Sequence, residues 1–522
     1  MRRMKGAAGL LTALLLAFQL SAQTFALANE DNGIKVVPVN FTHNGYSYEI
    51  EGVAKSTDGD YQIKSPARLA ARKLPSTYDP RSSGEITTVK DQASTGACWA
   101  FSALACAEQD LIKKGLENPS AEFSVPALVL SSNSGTATGK DDFSSGGNWL
   151  FAASALANGQ GLCYEDYEPF LESGTGNMIV SENKKSVSEY RLNYVMELSS
   201  TTQVKRKIME LGAVSASYFA GNGYMNHNNT AYYDPDASKN TIINHSVTVV
   251  GWDDNYSKDN FRYKPANNGA WLVKGSWGAD QDNDGFYWVS YDEAEFGQFC
   301  CYDFEESCDN TYHYSKMTGY VVNASNDGSV YGANVFTAKA DEKLDKAGFM
   351  YVGKTGSADY TLSVYTDVSD SDPIGVLETQ ISGSVSANGF YTVDFPEDIL
   401  LEEGEKYSIS VKFSGDSGRG YLLAESDRTS NAQSGQSYVS LNGKYWSDVG
   451  ADKTDSIGSL FIYAYTDDTA KPDKSSLETT LAKYGTLAGC EREANNARTV
   501  LADETASKND ISNAQKLLIS AA

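Results

Sequence analysis

Gln92-Ala93-Ser94-Thr95-Gly96-Ala97-Cys98-Trp99-Ala100-Phe101-Ser102 decides how the rest of this chain is read. A Gly-Ala pair leads into a run whose composition predicts a helix through Lys114, with Gly115 as its C-terminal stop. Cys98 then falls in the first turn. There the unpaired amides and the positive end of the helix dipole favour a thiolate, the nucleophilic form of cysteine. A cysteine in the body of the helix, such as Cys106, gains none of this.

A cysteine nucleophile needs a proton acceptor, and the chain has four histidines. His43 lies near the N-terminus, His227 in an Asn-rich stretch, and His313 beyond the mixed α/β part. His245 opens Asn244-His245-Ser246-Val247-Thr248-Val249-Val250-Gly251-Trp252, a strand-like run entered from a polar loop. An imidazole there can take the thiol proton and return it to a leaving amine.

Together these stretches resemble the papain-like cysteine peptidases. Thr95-Gly96-Ala97-Cys98-Trp99 is similar to the signature C-G-[SA]-C-[WY], with Thr95 replacing the first cysteine. The His245 run resembles the family's histidine strand apart from Ser246. Its distance from Cys98 lies inside the roughly 130–150 residues of that family. The resemblance implies Cys98 as nucleophile, His245 as general base, and Gln92 as an oxyanion donor beside the Cys98 amide. It also implies an asparagine before Ser-Trp-Gly, to orient the imidazole. The chain instead reads Ala270-Trp271-Leu272-Val273-Lys274-Gly275-Ser276-Trp277-Gly278. Gly275 occupies the third-member position, while Trp277, which shields that bond in the family, is kept. Glycine has no acceptor, so water, a backbone carbonyl or another residue must hold the ring. Loss of an orienting group leaves part of the activity when the other members persist, so a working, reduced peptidase is expected.

Ser144-Ser145-Gly146-Gly147-Asn148-Trp149 resembles the family's C-N-G-G segment, whose glycines let the substrate backbone approach. By that resemblance Gly146, Gly147, Asn148 and Asn244 contact substrate, and Trp149 with Ala213-Val214-Ser215-Ala216 shapes the P2 pocket. The segment lacks its usual cysteine, as position 95 does, so the disulfide that joins them in the family is missing as a unit. Cys300, Cys301 and Cys308 cluster further on, with a disulfide or a metal site left open between them. Asp280-Gln281-Asp282-Asn283-Asp284-Gly285 matches the first half of a calcium loop, but Tyr291 stands where its bidentate glutamate belongs. A solvated acidic turn is the better reading. No metal or cofactor is expected; calcium at Asp280, Asp282 and Asp284 is the alternative.

At 522 residues the chain suggests three or four domains. A basic Met1-Arg2-Arg3-Met4-Lys5, an apolar Ala7 to Leu20 and a small-x-small Ala26-Leu27-Ala28 read as a signal peptide over 1–28. Residues 29–73 are a pro-region with a basic processing site, or a plain N-terminal arm. The papain-like match covers 74–303, with a helical lobe and a β-barrel-like lobe. Over 304–468, alternations such as Tyr407, Ile409, Val411 and Phe413 predict a β-sandwich. Residues 472–522 predict two or three helices. This multidomain α+β order resembles a bacterial group of such peptidases with a lectin-like domain and a small helical repeat.

A net charge of −25 excludes a nucleic-acid partner, and seven cysteines in this length do not make a disulfide scaffold. No integral membrane segment is expected after signal cleavage. The expectation is a secreted endopeptidase made as a zymogen, extracellular or loosely surface-associated, cleaving proteins or peptides through a thioester. The alternative is an impaired papain-like protein that binds glycan or cell wall through the β-sandwich and helical module, with Tyr445 available to stack on sugars. A transglutaminase-like acyl transferase fits the Gln92 spacing and the Gly275-Ser276-Trp277-Gly278 segment less well.

Overall fold

The computed structural model describes residues 34–38, 73–93, 95–132, 146–159, 161–165, 189–221, 223–237, 243–279, 282–316, 320–325, 328–369, 372–415, 420–426, 432–451, 457–470, 473–503, 506 and 508–522. The signal segment and most of the 29–73 stretch lie outside them, as do Asp280 and the side chain of Asp282.

Helix α1 (Cys98–Lys114) begins at the nucleophile and ends where the sequence predicts, at Gly115 with φ 73°. It is apolar on nearly every side, with Ala100, Ala103, Leu104, Cys106, Ala107 and Leu111 buried. Such a helix belongs in the middle of a core. Its two interior carboxylates have named partners, although Oδ1 of Asp110 has none among the described residues. Glu108 accepts from the Thr87 hydroxyl at 2.6 Å and pairs with Lys90 and Lys274 at 3.3 and 3.7 Å. Asp110 accepts from Lys114 at 2.9 Å and from the Phe304 amide at 2.7 Å. Helices α2 (Val125–Ser131) and α3 (Trp149–Ala157) pack beside α1, and α4 (Thr201–Leu211) starts with a Ser200–Gln203 capping box.

The strands that matter to the site are β1 (Tyr190–Leu198), β2 (Val214–Tyr218), β3 (His245–Asp253), β4 (Ala270–Lys274), β5 (Phe286–Ser290) and β6 (Gly297–Glu306). The division drawn at 303 falls inside β6. Beyond it come β7 (Asn310–Tyr312), β8 (Ser329–Thr337), β9 (Glu342–Tyr351), β10 (Ala358–Thr366), β11 (Val376–Val385), β12 (Gly389–Leu401), β13 (Lys406–Ser414) and β14 (Ile462–Asp468).

One sheet runs through both halves of the molecule, in the order β7-β14-β9-β12-β1-β6-β2-β3-β4-β5, with short strands beyond β5. The join is antiparallel, with Gly389, Phe390 and Tyr391 of β12 opposite Met196, Val195 and Tyr194 of β1. A second sheet contains β11-β10-β13-β8 and two short strands, and covers β9 and its neighbours. Aromatic rings fill the space between them: Phe349 lies 5.2 Å from Phe413 and 5.0 Å from Tyr360, centroid to centroid. This is the sandwich the alternation predicts, and its inner face is continuous with the core of the preceding domain.

Residues 34–38 add an antiparallel strand to residues 320–325. At the other end α5 (Ser475–Tyr484), α6 (Glu491–Ala502) and α7 (Lys508–Ala521) enclose a small core of their own around Leu477, Ala494, Ala497 and Leu518. None of the seven cysteines is in a disulfide, Cys300, Cys301 and Cys308 included. Among the described residues no helix is long and apolar enough to cross a membrane.

Candidate active site

Cys98 is the first residue of α1, and the backbone rather than a side chain caps the helix: Ala97 O accepts from the amides of Ala100 and Phe101. The amides of Cys98 and Trp99 are left to act on the sulfur, and both pull its pKa down. One turn further on, the Ser102 hydroxyl donates to Val247 O at 2.7 Å. That bond draws the start of α1 onto the start of β3, where His245 is the first residue. Ser246 beside it acts on Cys98 through both its amide and its hydroxyl. The same hydroxyl is 3.0 Å from that of Ser217. Sequence reading met Ser246 only as a departure from the family; its place beside His245 was the available signal.

Burial acts on both members of the pair. It raises the Cys98 thiol above its ordinary value, against the pull of the surrounding amides. It holds the His245 imidazole down at about 3. Burial thus disfavours the charged form of each group taken singly. Trp277 lies flat against the imidazole, and the Tyr218 ring meets it edge-on at 5.9 Å. Nε2 of His245 is buried and has no hydrogen-bond partner among the described residues.

Gln92 is buried and held through both its backbone and its side chain. Its amide N–H donates to Ser276 O at 2.7 Å. Its side-chain NH2 donates to Thr95 O at 2.8 Å, and its side-chain oxygen accepts from the Ser276 hydroxyl at 2.5 Å. One side-chain N–H is therefore engaged, and among the described residues no partner is seen for the second.

Gly275 follows β4, and its amide donates to Gly285 O at 3.1 Å. The preceding Lys274 is tied down from the other side: its ammonium donates to Thr87 at 2.6 Å and faces Glu108. A cleft of about 380 Å³ runs past Gly275, Trp277, Tyr218 and Tyr287 to Met225 and His227.

The remaining sequence-derived residues divide their roles. Gly147 packs against Trp99 so closely that a Cβ would stand 2.5 Å from the indole, which accounts for glycine there. Gly146 has φ 71° and open space beside it. The Asn148 side-chain oxygen caps α3, accepting from Leu150 and Phe151 amides at 2.9 and 3.3 Å. Asn244 is tied to the Ala220 backbone in both directions, at 2.6 and 3.2 Å. The side chains of Asn148 and Asn244 are thus engaged in structure. Asn283 and Asp284, in the half calcium loop, adopt left-handed turns.

Comparison with known proteins follows this division of the chain. Residues 74–325 match the model of the papain family of cysteine proteases, and residues 311–466 match that of a lectin-like domain. Cathepsin S of Bos taurus is 29% identical over 218 residues, covering 41% of this chain and 60% of its own length. Cathepsin K of Mus musculus is 24% identical over 216 residues, covering 41% and 59%. The chain thus spans about 60% of the length of these curated relatives. The structure of the cysteine protease and lectin-like domains of Cwp84, a surface layer associated protein of Clostridium difficile, superposes with TM-score 0.68 at 25% identity, over 85% of this chain and 100% of that one. A clostridial Cwp84 structure after propeptide cleavage gives 0.66 at 27% identity, over 76% and 100%. The chain carries a papain-family peptidase domain followed by a lectin-like domain.

Proposed function

We propose that this protein is a cysteine endopeptidase that hydrolyses peptide bonds through a thioester acyl-enzyme. One observation carries the reading: the first residue of α1, Cys98, and the first residue of β3, His245, are drawn together beside a carboxamide clamped by Thr95 and Ser276. As the sulfur bonds to the substrate carbonyl carbon, its proton passes to the imidazole. Negative charge gathers on the carbonyl oxygen, where the Cys98 amide and the remaining N–H of Gln92 receive it. The C–N bond then breaks, the imidazolium protonates the leaving amine, and the acyl group stays on sulfur. Water, giving a proton to the imidazole, attacks the thioester; the carboxylic acid leaves and the thiol recovers its proton.

The reading extends to a zymogen exported from the cell, supported by the signal-like segment over 1–28 and the pro-region-like stretch after it. Cwp84 is described as a surface layer associated protein, which supports an extracellular or loosely surface-attached setting. Glycan or cell-wall contact through the lectin-like domain belongs to the same proposal. A second reading, an impaired peptidase acting mainly in binding, is favoured by the Nε2 of His245, which has no hydrogen-bond partner among the described residues.

An epoxide or vinyl-sulfone inhibitor of thiol peptidases should label the purified protein once, at Cys98. Burial raises the thiols of Cys106, Cys300, Cys301 and Cys308, and none of these opens a helix. Cys98→Ala should remove both labelling and peptide hydrolysis. Equal labelling of Cys106 or Cys163 would sink the assignment. Labelling without turnover of peptides would favour the second reading.

A further inference from the structure

Helix α3 is fastened to the lectin-like half at both ends. At its C-terminal end the Tyr465 hydroxyl of β14 donates to Ala157 O at 3.2 Å, and the Asn158 side-chain NH2 donates to Ser315 O at 3.4 Å. At its N-terminal end the Trp149 indole N–H donates to the Glu197 carboxylate of β1 at 3.1 Å. The other oxygen of that carboxylate accepts from the side-chain NH2 of Asn388 at 3.0 Å. Asn388 stands just before β12 and is buried. Its backbone carbonyl accepts from the Glu197 amide at 3.0 Å, and its side-chain oxygen accepts from the Gly353 amide at 2.9 Å. Gly389 beside it makes the close approach possible, because a Cβ there would stand 2.1 Å from Val195 O. The same end of α3 lies nearest the nucleophile. Gly147, two residues before Trp149, is seated on the indole of Trp99, the residue after Cys98, and Gly146 borders open space.

We infer that Glu197, bridging Asn388 and Trp149, is the residue through which the lectin-like half sets the position of the 146–149 segment, and with it the substrate selectivity of the cleft beside Cys98. Glu197 and Asn388 are positioning residues: they act through Trp149 and touch no reacting atom. A carboxylate suits the place because it only accepts, while the indole N–H and the carboxamide NH2 that meet it only donate. The bridge therefore has a direction. Reversing donor and acceptor on one side of the Glu197–Asn388 bond sets like groups against each other, and reversing both sides restores the match.

The inference rests on the peptidase reading, and the experiment separates the two. Inhibitor labelling of Cys98 and peptide hydrolysis by the wild type are measured first; their absence overturns both. With both present, kcat and KM are compared for peptides that differ only at P2 and for an ester with a single acyl residue. Glu197→Gln sets an NH2 against the Asn388 NH2 or the Trp149 N–H, and Asn388→Asp sets carboxylate against carboxylate. Each should change the ratio of kcat/KM between the best and worst P2 residue by about three- to tenfold, chiefly through KM, the size of one hydrogen bond. The ester, which has no P2 residue, should stay close to its wild-type rate in these two variants. Glu197→Gln with Asn388→Asp reverses the bond, keeps an oxygen for the Trp149 N–H and one for the Gly353 amide, and should restore the wild-type ratio. Trp149→Phe keeps the packing without the N–H and should shift the ratio as the single variants do. Should either single variant fail to fold, Trp149→Phe and the double variant carry the test. In an enzyme still labelled at Cys98, unchanged P2 selectivity in Trp149→Phe, equal losses on ester and peptides, or no recovery in the double variant overturns the bridge alone.

Discussion

The indole of Trp277 lies 4.2 Å from the imidazole of His245, centroid to centroid, with only 10° between the ring planes. Trp277 is 39% exposed while His245 is 5% exposed, so one ring is the lid over the other. A flat aromatic face attracts a cation by about 0.5–2 kcal/mol, and in the proposed mechanism the imidazole becomes a cation during attack. Trp277→Ala should lower kcat/KM by about three- to thirtyfold, and Trp277→Phe by less. Steady-state kinetics on a peptide substrate checks both. Equal losses in the two variants would mean that only packing is at stake.

The oxyanion role proposed for Gln92 requires its carboxamide to be held. Gln92→Ala should cost about 10²–10³ in kcat. Ser276→Ala removes the hydroxyl 2.5 Å from the Gln92 side-chain oxygen but leaves the donor in place, so a smaller loss, about tenfold, is expected. Substrate binding in the ground state should change little in either. A Ser276→Ala enzyme with full kcat would show that the Thr95 carbonyl alone suffices to hold the amide.

The buried imidazole makes a statement about stability. His245 titrates at about 3 in the fold, against about 6.5 in an unfolded chain. Between those values the unfolded chain binds a proton that the folded one does not, so this contribution is lost as pH falls. Asp110 and Glu293, raised to about 7 by burial, work in the opposite sense, losing stability as pH rises from about 4 towards 7. Comparing the wild type with His245→Gln cancels the carboxylates. From pH 6.5 to 4.5 the difference in unfolding free energy should move by about 2 kcal/mol in favour of the variant. Urea unfolding at each pH measures it. A constant difference would mean that His245 already carries its proton at neutral pH, as in a thiolate–imidazolium pair.

Two truncations should behave differently. A chain ending at Asp468 loses a helical unit with its own core around Leu477 and Leu518, and should keep short-peptide hydrolysis within about twofold. A chain ending near 303 cuts β6 and strips β12 from β1. The exposed edge at Tyr194, Val195 and Met196 should make it insoluble. Soluble, active 74–303 protein would contradict the continuous sheet.

The parts of the site that sequence made legible are those set by local chemistry. Cys98 at a helix start, Gly115 at its end and His245 at a strand start all follow from their immediate neighbours. So do the sandwich alternation and the three terminal helices. Other features depend on partners far along the chain. Asn148 and Asn244 read as substrate contacts because their segments resemble a family's; that Asn148 also caps α3 and Asn244 also ties to Ala220 was not legible there. Tyr218 and Tyr287 carry no motif, and only the order of β2, β3, β4 and β5 brings their hydroxyls together. The pairing of β1 with β12 joins strands almost 200 positions apart, which no period-2 pattern can specify.

That pairing has a mechanical consequence. Hinged enzymes let a binding module drift while the blade searches; here hydrogen bonds between β12 and β1 splice the two halves into one beam. If the lectin-like half grips a ligand, as proposed, the thiol would have to meet its target at a set reach and angle, and geometry of attachment would become a filter on which bonds are cut.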